Sequence, residues 1–198
     1  MNRLALGMTL AASTAVLGCL PAGGQTATID PAPAPPIQVY FSPGGGATDA
    51  IVRAVQAAQT SVLVQAYSFT SVPIAQALVN SHRRGVKVDV ILDRSKVVEE
   101  KHSQVDLLVS AGLTPQLDGS HGVAHNKLLV IDGQVVVTGS FNFTKHSEQD
   151  NAENLLVIRD RPLAEKYTAN WKSHAAHSEP YQGRPRAAVP RDKASAPR

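Results

Sequence analysis

A histidine, a lysine, a hydroxyl and an amide fall within one short run of this chain. They are His125 and Lys127, then Asp132-Gly133, then Gly139-Ser140-Phe141-Asn142. These residue types suit chemistry on a phosphate ester. An imidazole serves as nucleophile or general acid near neutral pH. An ammonium, a hydroxyl and an amide can hold phosphoryl oxygens as charge develops on them.

The spacing predicts how a fold would gather them. Asp132-Gly133 lies between two apolar, β-branched runs, the pattern of a hairpin with a two-residue turn. Counting outward from that turn, Ile131 opposes Gln134, Leu129 opposes Val136, Lys127 opposes Thr138 and His125 opposes Ser140. Alternate residues share a face of a strand, and cross-strand partners share it too. His125, Lys127 and Ser140 are therefore expected on one face, with Asn142 just beyond. Asp132 falls at the turn, away from His125, where a structural or ion-pairing role is expected.

The whole string reads His-x-Lys, four residues, Asp, six residues, Gly-Ser-x-Asn, filled by His125, Lys127, Asp132, Gly139, Ser140 and Asn142. Elsewhere in the chain are Ala66-Tyr67-Ser68-Phe69-Thr70 and Arg84-Gly85-Val86-Lys87-Val88, before the motif, and Asn151-Ala152-Glu153-Asn154 after it. On these residues the chain resembles the phospholipase D superfamily, and within it the short bacterial endonucleases, from about Ile37 to His174. The resemblance implies an α/β layered domain, a mixed central sheet flanked by helices, with one motif per chain. It implies catalytic roles for His125, Lys127, Asp132, Ser140, Asn142 and, by position, Glu153, which would orient the histidine. It also implies a phosphohistidine intermediate, a second histidine as general acid, and no metal or other cofactor. The chain holds a single His-x-Lys, so the second histidine is expected from a homodimer built about a two-fold axis. Lys145 and His146 follow the motif closely and are candidates for phosphate contact.

Composition sets wider bounds. The chain has 198 residues and a formal net charge of +3, with a pI near 9.1. That mild excess is compatible with a polyanionic substrate such as nucleic acid. Aromatic residues are few, so base stacking would carry little of any affinity. Residues 1–24 read as an export signal, with Arg3 before an apolar stretch and Ala22-Gly23-Gly24 as a cleavage site. A second reading stays open: Val16-Leu17-Gly18-Cys19 resembles a lipoprotein box, with a signal ending at 18 and a lipid anchor on Cys19. Either way an exported protein is expected, periplasmic or secreted. Cys19 is the only cysteine, so the mature domain has no intrachain disulfide. Residues 25–36 form a Pro/Ala linker, and 179–198 a basic, Pro-rich tail expected to be disordered.

Between them, residues 37–178 alternate strand and helix patterns, which argues for an α/β domain. Strands are expected at Ile37–Phe41, Ser61–Tyr67, Val86–Leu92, Leu113–Gln116, the 125–140 hairpin and Asn154–Arg159. Helices are expected at Thr48–Gln59, Val72–Arg84, Glu99–Ala111 and Leu163–His174, with Trp171 facing the core. Asp93 and Arg94 close a strand, where α/β sheets commonly carry functional loops. His121 reads as an exposed loop histidine. His82, His102, His174 and His177 show no metal-ligand spacing with acidic partners, so no zinc site is expected.

Three functions compete on these grounds. The first is an endonuclease cutting DNA, and RNA by the same chemistry, with little sequence preference because the motif reads phosphate. The second is a phospholipase cleaving a lipid phosphodiester with the same residues. The third is a non-catalytic polyanion binder, which an intact catalytic string argues against.

Overall fold

The computed structural model describes residues 37–183. The expected signal, Cys19, the linker and the basic residues from Arg184 onward lie outside them. The elements run β1 (Ile37–Ser42), α1 (Ala47–Gln56), β2 (Ser61–Ala66), α2 (Val72–Arg83), β3 (Lys87–Asp93), α3 (Arg94–Glu99) and α4 (Val105–Ser110). They continue with β4 (Gln116–Asp118), β5 (Lys127–Ile131), β6 (Val135–Gly139), α5 (Lys145–Gln149), β7 (Glu153–Arg159), α6 (Arg161–Ala175) and β8 (Glu179–Pro180). The strands form one eight-stranded sheet in the order β1-β7-β6-β5-β2-β3-β4-β8. β2, β3 and β4 are parallel neighbours and the remaining pairs are antiparallel. This is the expected mixed sheet with flanking helices.

β5 lies near the middle, and all five of its residues are buried. Its two faces meet different helices. Leu129 and Ile131 join Ile51 and Val55 of α1 and Ile74 and Leu78 of α2 in the larger core. Leu128 and Val130 pack with Val136 under Leu163, Ala164 and Tyr167 of α6. A strand covered on both sides reads as a continuous apolar run rather than an alternation. Trp171 of α6 is buried, as expected, and its indole nitrogen donates to the Val64 carbonyl at 2.9 Å.

The hairpin differs from its expected register by one residue. Asp132 and Gly133 both have positive φ, 53° and 63°, and the Gln134 amide closes the turn on Ile131 at 3.0 Å. The Gln134 carbonyl, however, accepts from Asp160 at 3.0 Å. Pairing thus starts at Val135, and Ile131 opposes Val135 while Leu128 opposes Thr138. The expected Lys127–Thr138 and His125–Ser140 pairings do not form. A one-residue slip moves a strand's residues to the other face, so the hairpin alone does not gather the motif.

Three other expectations change. The helix expected over Glu99–Ala111 forms only as α4, Val105–Ser110, and a separate short helix, α3, precedes it at Arg94–Glu99. The Asp93 carboxylate caps α3 by accepting from the Lys96 amide at 2.9 Å, which starts the helix directly after β3. The Gln104 amide is taken by the Phe69 carbonyl at 2.8 Å, which breaks the helical ladder between the two. The strand expected at Leu113–Gln116 lies at Gln116–Asp118, where β3 supplies a parallel partner. The first residues of the segment expected to be disordered, from 179, are ordered. Glu179–Pro180 pairs with β4, and Tyr181 binds the Pro115 carbonyl and the Asp106 carboxylate.

Asp132 is the anchor of the hairpin. Its carboxylate accepts from the amides of Gln59, Thr60 and Ser61 and from the Thr60 hydroxyl. Burial pushes its pKa up, but these hydrogen bonds outweigh burial and hold it below the ordinary carboxylate range. Asp132→Ala should cost about 1–3 kcal/mol in urea unfolding, the typical loss when part-buried donors are orphaned. Its turnover per folded molecule should match the parent.

Candidate active site

The site begins at the open end of β5. Lys127 is the first residue of that strand and only 6% exposed. Its ammonium donates to the His125 carbonyl at 2.9 Å and lies 5.3 Å from the centroid of the Tyr67 ring. Among the described residues it forms no ion pair. The His125 ring meets the same tyrosine edge-on, with centroids 4.6 Å apart. Tyr67 in turn donates its amide to the Asn126 carbonyl at 3.0 Å. One aromatic ring thus positions both the histidine and the lysine.

The loop that delivers His125 is tied down by Asp93. Its second carboxylate oxygen accepts from the Ala124 amide at 2.7 Å, one residue before His125. Asp93 also acts on His125 by its charge. Partial burial and the Lys127 charge push the His125 pKa down, against the pull of Asp93. The neutral imidazole is therefore favoured at neutral pH, the form a nucleophile needs. Burial also lowers the Lys127 pKa, and the charge of Glu153 offsets part of that fall.

The far side of the site is built by close backbone approach. Gly139 ends β6 with φ at 154°, and a Cβ there would collide with the Asn154 carbonyl oxygen. That carbonyl accepts the Ser140 amide at 3.1 Å and the Phe141 amide at 3.3 Å. Only glycine fits so near a neighbouring strand. The Ser140 hydroxyl accepts from the Asn154 amide at 3.0 Å. Phe141 and Phe143 are fully buried, and the Phe143 carbonyl accepts from Thr70 and Ser71. Asn142 is held between these two anchors. Its amide oxygen is buried without a hydrogen-bond partner, a local cost of the kind that collects at functional sites.

The expected residues are not all brought together. His125, Lys127, Thr138 and Gly139 line one small cavity of about 190 Å³, walled by Tyr167 and Asn170 of α6. Asp132 sits at the other end of β5, roughly 16 Å from Lys127 at ~3.3 Å per residue. Glu153 starts β7, accepts from the Asn151 side-chain amide at 2.9 Å and acts on Lys127 by charge. It forms no hydrogen bond to the His125 ring among the described residues. Lys145 and His146 begin α5, both exposed. Lys145 lines a separate cleft of about 430 Å³ with Thr70 and Glu148, and His146 pairs with Asp150 at 2.8 Å. Tyr67, Tyr167 and Asn170 escape motif reading. Tyr67 lies in the Ala66–Thr70 segment of the resemblance, but α6 reaches the site only through packing.

A central mixed sheet carrying His125 and a buried Lys127 at a strand end defines a phosphodiester hydrolase of the His-x-Lys type. The chain belongs to the phospholipase D superfamily. A family described as "Cardiolipin synthase, PLD-like domain" matches residues 51–175. "Phospholipase D" of Rickettsia prowazekii is 42% identical over 142 residues, covering 72% of this chain and 69% of that protein. "Mitochondrial cardiolipin hydrolase" of Xenopus tropicalis is 39% identical over 58% of this chain and 54% of its own length. Among solved structures, Nuc from Salmonella typhimurium, a phospholipase D family member, superposes with a TM-score of 0.72 at 34% identity. That match covers 75% of this chain and 99% of the other.

The His125 environment leads to a direct measurement. In a proton NMR titration its imidazole should titrate below the usual histidine value of about 6.5. Lys127→Met, which removes one of the two causes, should move it part of the way back up. No movement would mean that burial alone sets it.

Proposed function

We propose that this chain is an exported, sequence-nonspecific endonuclease that cleaves DNA, and RNA by the same chemistry, as a homodimer and without a metal ion. The observation that carries the reading is the buried Lys127 ammonium beside an exposed imidazole held neutral. It is a preformed seat for a phosphate next to a nucleophile.

The reaction runs in two displacements. A His125 nitrogen forms a bond to phosphorus while the bond to the leaving sugar oxygen breaks. That oxygen takes its proton from the partner's His125. Water then attacks the phosphohistidine, the P–N bond breaks, and the water proton passes to the partner's His125. Lys127 and Asn142 hold the non-bridging oxygens, with Ser140 assisting. Glu153 is a positioning residue, acting through the charge it shares with Lys127. Most of the rate gain in such a scheme comes from charge held in place before the reaction.

The chain's similarity to short bacterial endonucleases and its basic balance support nucleic acid as substrate. A second reading, hydrolysis of a phospholipid headgroup, is favoured by the names of the relatives above. No helix among the described residues is long and apolar enough to cross a membrane. Cleavage of plasmid DNA by the purified mature chain in excess EDTA separates the readings. Nicking should persist in EDTA and fall by at least about a thousandfold in His125→Ala. Absence of nicking, with headgroup release from cardiolipin or phosphatidylcholine vesicles, would establish the lipid reading instead.

The edge strand supports the dimer. Ile37, Val39 and Phe41 project from one face of β1 and are more than half exposed. Val39 opposes Leu156, and Leu156 opposes Thr138 of the His125 cavity, so all three share a face. Phe41 opposes Asn154, which holds Ser140. An apolar stripe on the face that carries Thr138, at the edge of the cavity His125 lines, suits a second copy of the chain. Phe41→Lys should give a monomer by sedimentation, with unchanged circular dichroism and nicking reduced at least tenfold. A dimer that survives the change would place the interface elsewhere.

A further inference from the structure

A second cluster of chemistry-bearing side chains lies outside the motif. Asp118 ends β4, and its side chain is fully buried. Three imidazoles converge on its two carboxylate oxygens. The His174 Nδ1 lies at 2.7 Å, the His121 Nδ1 at 3.2 Å and the His177 Nε2 at 3.4 Å. The three rings have centroids 4.9, 5.2 and 5.4 Å apart. One donor atom from each of the four residues falls within 4.8 Å of every other. The residues come from three places: the end of β4, the loop before β5, and the last turn and exit of α6.

One carboxylate does not need three imidazoles. The His174 contact and the Ser120 amide, at 3.1 Å, already give each oxygen a partner. His121, at 3.2 Å from Oδ1, and His177, at 3.4 Å from Oδ2, add longer contacts to oxygens that already have partners. Four donors, three of nitrogen and one of oxygen, are a familiar ligand set for zinc. Zinc bonds of about 2.0–2.1 Å put tetrahedral ligand atoms about 3.3 Å apart. With Asp118 Oδ2 as the ligand oxygen, the His177 distance of 3.4 Å already fits, the His174 contact would open by about half an ångström, and His121, at 3.2 Å on the other oxygen, lies within the same 4.8 Å cluster. The Ser120 amide fixes the carboxylate from behind, as outer-shell donors do. Imidazole nitrogens select against magnesium and calcium, which take oxygen ligands.

We propose that Asp118, His121, His174 and His177 bind one divalent transition metal of the zinc type. The site is closed, with four protein ligands, so its role is structural. The metal joins the end of α6 to the Gly119–Asn126 loop, whose far end is His125. His125 faces Tyr67 and takes no part in the cluster. The metal would brace the loop that carries the nucleophile without contacting His125.

The spacing that could have announced this site is a pair of three-residue steps, Asp118 to His121 and His174 to His177. Neither step alone is distinctive, and 56 residues separate Asp118 from His174.

The test uses the mature chain without a histidine tag, stripped with EDTA and dialysed. Zinc should bind one per chain by calorimetry with a Kd of about 1 µM or tighter, and raise the melting temperature by about 5 °C. Cobalt at the site should show the visible bands of tetrahedral coordination. His177→Ala and His121→Ala, both at accessible positions, should weaken zinc binding by more than about a hundredfold, exceeding what outer-shell changes cost. His102→Ala, outside the cluster, should bind as the parent does. No zinc binding, or binding that the His177 and His121 variants leave intact, would overturn the proposal. These readouts do not depend on nicking, so the metal site and the nuclease reading stand or fall separately.

Discussion

The constraint on which the rest depends is the double burial of β5. A strand covered by α1 and α2 on one face and α6 on the other can carry no charge along its length. Charge is admitted only at its ends, by Lys127 at one and Asp132 at the other. The two ends resolve the cost differently. Asp132 is saturated by three amides and a hydroxyl, and it locks the turn to the start of β2. Lys127 keeps one carbonyl and the face of an aromatic ring, and forms no ion pair among the described residues. One motif therefore holds two charged residues with different surroundings, one saturated by hydrogen bonds and one with no opposite charge bound to it.

The remaining motif residues follow from what must surround that ammonium. Gly139 is needed because β7 passes too close for a side chain, and that closeness places the Ser140 hydroxyl against Asn154. Phe141 and Phe143 bury fully, fixing the backbone on either side of Asn142. Burial of an aromatic side chain is worth about 1.5–3 kcal/mol, ample to hold one polar residue in place. Stability and chemistry are shared between alternating positions of a single short segment.

Much of this was legible before any coordinates. The apolar runs, the helix periods and the Asp132-Gly133 turn located most elements within a few residues, because burial and local backbone preference act on neighbours in sequence. The misplaced elements share one cause. The hairpin register depends on Asp160 claiming the Gln134 carbonyl, and the break between α3 and α4 depends on Phe69 claiming the Gln104 amide. The order at Glu179–Pro180 depends on its pairing with β4. In each case a distant residue takes a backbone group that local pattern would assign elsewhere.

The same division runs through the function. Sequence alone determined the chemistry, since the kinds of side chain and their spacing along two adjoining strands are local properties that name a phosphodiester hydrolase. Tertiary structure decided which groups act together. It set Tyr67 against both His125 and Lys127, sent Lys145 to a different cleft, and gathered Asp118, His121, His174 and His177 from three segments. Contacts of that kind join residues far apart in the chain, and no local spacing records them. The pairing of β2 with β5 sets Tyr67 beside His125 and Lys127, and the packing of α6 across the sheet brings His174 and His177 to Asp118.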